Sequence, residues 1–194
     1  MKRVWLLLVS GLGVFVQGAS AADHVPYEPG KGPGAGKHVV FLAGDEEYRS
    51  EEGLPMLARI LSRRHGFRCT VLFSVAADGT IDPRQSYILS HPEALDSADA
   101  IVMLVRLRRW PDAVMKRFED ALERGVPIIA LRTSTHAFQG LEGRYADYNE
   151  FGKQVLGERW VSHWGRHKVE ATRGVVEPTA KTAPLLRGMS DGFG

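Results

Sequence analysis

An unbroken apolar run, Val126-Pro127-Ile128-Ile129-Ala130-Leu131, gives way without a spacer to Arg132-Thr133-Ser134-Thr135-His136-Ala137-Phe138. A parallel strand covered on both faces reads as such a run, because neither side of it meets water. An abrupt switch to small, polar and ionisable residues marks the strand's carboxyl end, and open α/β sheets hold their ligands beyond that end. The stretch therefore predicts a buried, central parallel strand, with Arg132, Thr133, Thr135 and His136 standing at its edge.

The same pattern occurs twice upstream. His38-Val39-Val40-Phe41-Leu42-Ala43 is an apolar run that ends in Gly44-Asp45-Glu46-Glu47-Tyr48-Arg49-Ser50. Ala100-Ile101-Val102-Met103-Leu104-Val105 runs into Arg106-Leu107-Arg108-Arg109-Trp110. Helical spacing separates them: Leu54, Leu57, Ile60 and Leu61 form one apolar stripe, and Met115, Phe118, Ala121 and Leu122 another. Ser50 is the expected N-cap of the first helix, with Pro55 in its first turn and Gly66 as its stop. Pro111 opens the second helix and Gly125 closes it. Phe67 to Phe73 supplies a further strand, and such β-α-β crossovers are nearly always right-handed. Strands alternating with helices predict an α/β fold with a doubly wound parallel sheet.

Elsewhere the pattern is weaker. Ser74 to Leu95 is irregular, with turn signals at Asp78-Gly79 and Asp82-Pro83. Gln139 to Glu150 reads as a loop carrying Tyr145 and Tyr148, followed by a short helix from Glu150 to Leu156. Trp160 to Trp164 and Lys168 to Val176 read as short strands, the second weakened by Gly174.

The amino terminus is of another kind. Lys2 and Arg3, the apolar stretch from Val4 to Val16 and the small residues Ala19-Ser20-Ala21 have the layout of an export signal cleaved after residue 21. The apolar stretch is shorter than the ~20 residues that span a bilayer, so export without stable membrane insertion is expected. Losing Lys2 and Arg3 and no acidic residue takes the formal charge from +2 to 0. That leaves no basic patch for nucleic acid. Residues 22–37, rich in Pro and Gly, read as a flexible leader, and the domain is expected to run from 38 to 194. Cys69 is the only cysteine, so no intrachain disulfide forms, and its apolar neighbours predict a buried, inert thiol.

Motifs for several common chemistries are missing. The chain has no G-x-S-x-G elbow, no Gly-rich phosphate loop and no paired-cysteine metal motif. What it has is convergence. In a parallel sheet, three strand ends bring Asp45, Glu46, Glu47 and Arg49, then Arg106, then Arg132, Thr133, Thr135 and His136 to one crevice. Carboxylates, guanidinium groups and an imidazole together suit a polyhydroxylated or anionic small molecule, a carbohydrate above all. Glu46, Glu47 and His136 are the candidate catalytic groups. Arg49, Arg106, Arg132, Thr133 and Thr135 are the candidate substrate contacts. For any one of the loop charges, ordinary solvation is the competing reading. A second cluster holds His163, Trp164 and His167, with Glu170 and Arg173 beyond. Trp164 offers a sugar-stacking face or a core side chain. His136, His163 and His167 form a candidate three-nitrogen site for a divalent metal such as zinc, or else hydrogen-bonded histidines of the cleft.

These residues carry a resemblance. The Gly44-Asp45-Glu46-Glu47-Tyr48-Arg49-Ser50-Glu51-Glu52 loop, Leu131 to Phe138, Gly152-Lys153-Gln154-Val155-Leu156-Gly157 and Pro184-Leu185-Leu186-Arg187-Gly188 together resemble the ThuA-like (trehalose-utilisation) family, in particular its exported members. The resemblance runs from Lys37 to about Gly188. It implies a flavodoxin-like domain of the class I glutamine-amidotransferase-like type, and a role in disaccharide or keto-sugar catabolism. It also implies that the family pattern continues past Gly188, so that the chain is truncated at its carboxyl end. Amidotransferases place a cysteine in the turn after the central strand. Arg132-Thr133 stands there in this chain, so glutaminase chemistry is not expected. The expected activity is hydrolysis or isomerisation of an oxidised glycoside. A non-catalytic sugar-binding or interaction module on the same scaffold is the alternative.

Overall fold

The computed structural model describes residues 23–166, 169–190 and 192–193. The chain divides into two units, Met1–Arg159 and Trp160–Gly194. In the first unit the strands are β1 (His24–Tyr27), β2 (His38–Gly44), β3 (Arg68–Phe73), β4 (Ala100–Val105) and β5 (Ile128–Ala130). They form one sheet in the order β1-β3-β2-β4-β5. β3, β2, β4 and β5 are mutually parallel, while β1 pairs antiparallel with β3. Counted in chain order among themselves, the parallel strands run 2-1-3-4, as in a flavodoxin-like sheet. The order reverses between β2 and β4.

Alternation along the strands assigns the two faces. Val39, Phe41 and Ala43 pack with Leu54 and Ala58 of helix α1 (Ser50–His65), together with Val71 and Phe73. Val40 and Leu42 face the other way, onto Ile101's side of the sheet and helix α2 (Asp112–Glu123). Every residue of β2 is buried, which is why it reads as a continuous apolar run. Phe118 of α2 centres an aromatic cluster, meeting Trp110, Phe138 and Tyr148 edge-on and Phe151 at a tilt. Burying such a ring contributes roughly 1.5–3 kcal/mol, and here it fastens the chain after β5 to α2. Phe151 opens the short helix α3 (Phe151–Val155), which matches the expected one.

Three expectations need correction. The run from Val126 is not a central strand: β5 is three residues long and forms the outer strand of the sheet, with Ile129 56% exposed. An apolar run records hydrophobicity, not how many neighbours a strand has. Residues 23–37 are not a free leader. His24–Tyr27 is a sheet strand, and Gly30 and Gly34 donate backbone hydrogen bonds to Ser62 and His65 at the end of α1. A helix leaves its last carbonyls unsatisfied, and glycine lets another backbone come close enough to use them. A Cβ on Gly32 would stand 2.4 Å from the His65 carbonyl oxygen. The glycines that suggested flexibility thus make docking sterically possible. Finally, Ser50 is not the N-cap of α1; Arg49 is, in a left-handed conformation (φ 51°). Pro55 then falls inside the helix, where it removes the bond to the Glu51 carbonyl.

The second unit holds little regular structure. Its strands β6 (Gly174–Val175) and β7 (Gly192–Phe193) pair antiparallel, and Pro178–Ala180 and Pro184–Leu186 are single 3-10 turns. The expected strand at residues 160–164 does not form.

Candidate functional site

The loops that leave β2, β4 and β5 meet beyond the carboxyl end of the sheet, at the place where strand order reverses. Asp45, directly after β2, is fully buried. Its Oδ1 accepts the backbone N–H groups of Glu47 and Tyr48, each at 2.7 Å, which curls the loop around the carboxylate. Its Oδ2 accepts the hydroxyl of Thr133, from the loop after β5. Ser50 closes the loop from behind, its Oγ accepting from the Asp45 N–H at 2.8 Å. A buried carboxylate without such donors would be costly, so Asp45 is a fastener between two loops.

Around that fastener lies a network of charges. Glu46 pairs with Arg106, and its other oxygen stands 3.8 Å from Arg108. Glu47 Oε2 is 3.7 Å from Arg106 Nε. That separation is too long for a hydrogen bond, and Arg106 Nε is a buried donor without a partner among the described residues. The Glu46 and Glu47 side chains keep 28% and 27% of their exposure. Arg108 is buried; its Nη1 donates to Ser74 Oγ and to the carbonyls of Pro83 and Gln85. Burial pushes its pKa down from the ordinary guanidinium value, while Glu46 and Asp45 push it back up. A guanidinium begins so far above neutrality that Arg108 keeps its charge.

Arg132 opens the 3-10 turn Arg132–His136 in a left-handed conformation (φ 44°). Its guanidinium lies over the Tyr48 ring, 4.3 Å from the centroid, and donates to the Tyr48 hydroxyl at 2.6 Å. Leu107, in the β4 loop, is also left-handed (φ 54°), and its N–H donates to the His136 carbonyl at 3.0 Å. Non-glycine residues adopt this conformation at a cost of about 1–2 kcal/mol, and such residues cluster at functional sites.

The predicted residues therefore separate. Glu46, Glu47, Arg106 and Arg132 come together with Tyr48 and Arg108, neither of which was expected to take a role. Thr133 is buried and its hydroxyl is spent on Asp45, so it ties loops together instead of touching a substrate. Thr135 Oγ1 stands 3.4 Å from Nδ1 of half-buried His136. Arg49 is exposed and pairs with Glu52 of its own helix, outside the network. Ser134 is buried, its Oγ bound between the Met103 carbonyl and the Val105 N–H. Trp164 belongs to the second unit and is 102% exposed, so it is not a core residue. His163 lies in that unit too, and His167 lies outside the described residues. Among the described residues no three His, Cys, Asp or Glu side chains gather as a metal site. Cys69 is buried, and burial pushes its thiol up to about 11.

Arg108 was legible only as one charge in an Arg-Leu-Arg-Arg run, and Tyr48 only as an aromatic between acidic and basic neighbours. Their partners lie far along the chain, so no local signal could have found them. Comparisons with protein-family models, with curated proteins and with solved structures return no match for this chain.

Proposed function

We propose that the protein binds a carbohydrate in the crevice where the β2, β4 and β5 loops meet, and that it acts on an oxidised glycoside by hydrolysis or isomerisation. The observation that carries this reading is the joining of the three loops: Glu46 to Arg106, Asp45 to Thr133, and Tyr48 to Arg132. A sugar needs both donors and acceptors on one rim, with an aromatic nearby, and this rim has all three. Arg106 Nε is an unspent donor that a substrate oxygen would satisfy. Glu47, held only by a 3.7 Å ion pair, is the freer carboxylate and takes the acid/base role. Glu46, committed to two arginines, positions them. His136 takes a second proton-transfer role. The ThuA-like resemblance, carried by the same loops, points the same way. Residues 1–21 serve as the export signal in this reading, and N-terminal sequencing of secreted protein should begin at Ala22.

One observation favours a second reading. The left-handed turn after β5 presents a guanidinium, Arg132, and no nucleophile. On that ground the domain would bind sugars without converting them.

Turnover of a panel of disaccharides and their keto forms separates the two. Glu47→Gln should lower kcat about 100-fold or more with little change in binding, as loss of an acid/base group does. His136→Ala should lower it as well. Unchanged turnover in both variants would overturn the catalytic assignment, and calorimetric binding with no turnover at any pH would establish the binding module.

A further inference from the structure

A cavity of about 320 Å³ opens where the β4 exit loop turns into α2. Trp110 lines it and is only 2% exposed. Phe118 and Phe138 hold the indole edge-on, at centroid distances of 5.9 and 5.2 Å. Its Nε1–H is nevertheless without a hydrogen-bond partner among the described residues. Buried donors are nearly always paired, so an orphan beside a cavity calls for an acceptor from outside the chain.

The rest of the lining agrees. α2 starts at the same point, with Pro111 as its N-cap; the Val114 N–H donates to the Pro111 carbonyl at 2.9 Å, and no side chain caps the turn. Arg109 lines the cavity with its Nε donating to the Gln139 carbonyl at 3.0 Å and Nη1 3.4 Å from the Tyr87 hydroxyl. Gly140 lies against this guanidinium: a Cβ there would stand 2.7 Å from Arg109 Nε. Asp112 and Glu142 add two carboxylates, and Tyr145 an aromatic wall.

We infer that this cavity is a binding subsite for an uncharged molecule carrying neighbouring hydroxyl groups. A hydroxyl both accepts and donates. It can take the Trp110 and Arg109 hydrogens while giving its own to Asp112 or Glu142. Two carboxylates against one guanidinium turn an anion away. The volume lies at the lower end of small-molecule sites, room for about one ring. None of the residues of the loop-junction site takes part, so this subsite stands or falls separately from the function proposed above.

The test is the indole N–H signal of Trp110 in ¹H–¹⁵N spectra of the intact protein, titrated with D-glucose and with myo-inositol, and with sodium acetate as the anionic control. The expected result is a saturable downfield shift of the Trp110 signal with either neutral probe, the Trp160 and Trp164 signals staying in place. Trp110→Phe shrinks a buried side chain and removes the N–H that reports binding, so Arg109→Leu and Glu142→Gln, both at exposed positions, are the informative variants. Each should weaken the response by about fivefold or more, the loss of one charge-assisted hydrogen bond. No shift with either neutral probe up to roughly 50 mM, well above a millimolar dissociation constant, would overturn the subsite. So would a response to acetate alone.

Discussion

The two edges of the sheet handle the same backbone demand in opposite ways. The turns leading into β2, β3 and β5 each need a left-handed residue, and each places glycine there: Gly36, Gly66 and Gly125. The loops leaving β2, β4 and β5 need one too, and they place Arg49, Leu107 and Arg132. Polar groups divide in the same way. At the amino edge His38 is 3% exposed, its ring between Thr70 Oγ1 at 2.9 Å and Ser97 Oγ at 3.0 Å, and Asp99 accepts the His38 N–H. The His38 ring and its N–H are thus both hydrogen-bonded. At the carboxyl edge, Glu46, Glu47 and Arg106 stay part-exposed, the Arg106 Nε and Trp110 Nε1 donors have no partner among the described residues, and three bulky residues, Arg49, Leu107 and Arg132, sit in a conformation that suits glycine. Polarity alone therefore does not separate the two edges; a left-handed backbone kept at bulky residues does, and such strain persists only where the surrounding structure holds it.

The contrast can be broken or sharpened by substitution. The largest effect belongs to the buried fastener. Asp45→Ala strands the Thr133 hydroxyl and two backbone N–H groups, and should cost about 3 kcal/mol in urea unfolding. A loss below about 1 kcal/mol would show that water replaces the carboxylate and that the loops are not tied through it. Next come two substitutions of opposite sign. Gly66→Ala puts a Cβ at φ 78° and 2.7 Å from the Gly32 nitrogen, and should destabilise by roughly 2 kcal/mol. Arg132→Gly relieves its backbone and should stabilise by about 0.5–1 kcal/mol, less what the Tyr48 contact contributed, while sugar binding weakens. If Arg132→Gly destabilised as much as Gly66→Ala, the difference between the edges would be one of packing, not of retained strain.

The smallest effect is a pH dependence at the amino edge. Burial, then the nearby Arg68, holds the His38 pKa below its ordinary value, and Ser97 and Asp99 oppose the shift more weakly. The unfolded chain then binds the proton more readily than the folded one. His38's contribution is fully present above about pH 6.5 and is lost as pH falls from there toward the folded pKa. Comparing Tm between pH 8 and pH 5 should show a steeper loss in the native protein than in His38→Gln; parallel curves would mean the imidazole is not held neutral.

Much of this arrangement was legible in the chain. Four parallel strands, two main helices and their order of appearance can be read from apolar runs and helical stripes, because burial on one or both faces leaves a local, periodic trace. The loops that form the candidate site were legible as abrupt changes at strand ends. Rank within the sheet was not: Ile128–Ala130 reads as fully buried and lies outermost. Nor was the docking of residues 23–37, since the same glycines serve disorder and close backbone approach alike.

Periodicity and composition by themselves determined the fold class and the three polar loops, since each depends on residues within a turn or a strand of one another. Only the tertiary structure decided which polar side chains are fasteners and which face the solvent. Thr133 reads as a ligand contact until Asp45, 88 positions away, takes its hydroxyl, and Arg106 has no partner until Glu46, 60 positions away, comes beside it. The energy of a charge or a hydroxyl is set by its surroundings in space, and those surroundings exist only once distant strands have paired.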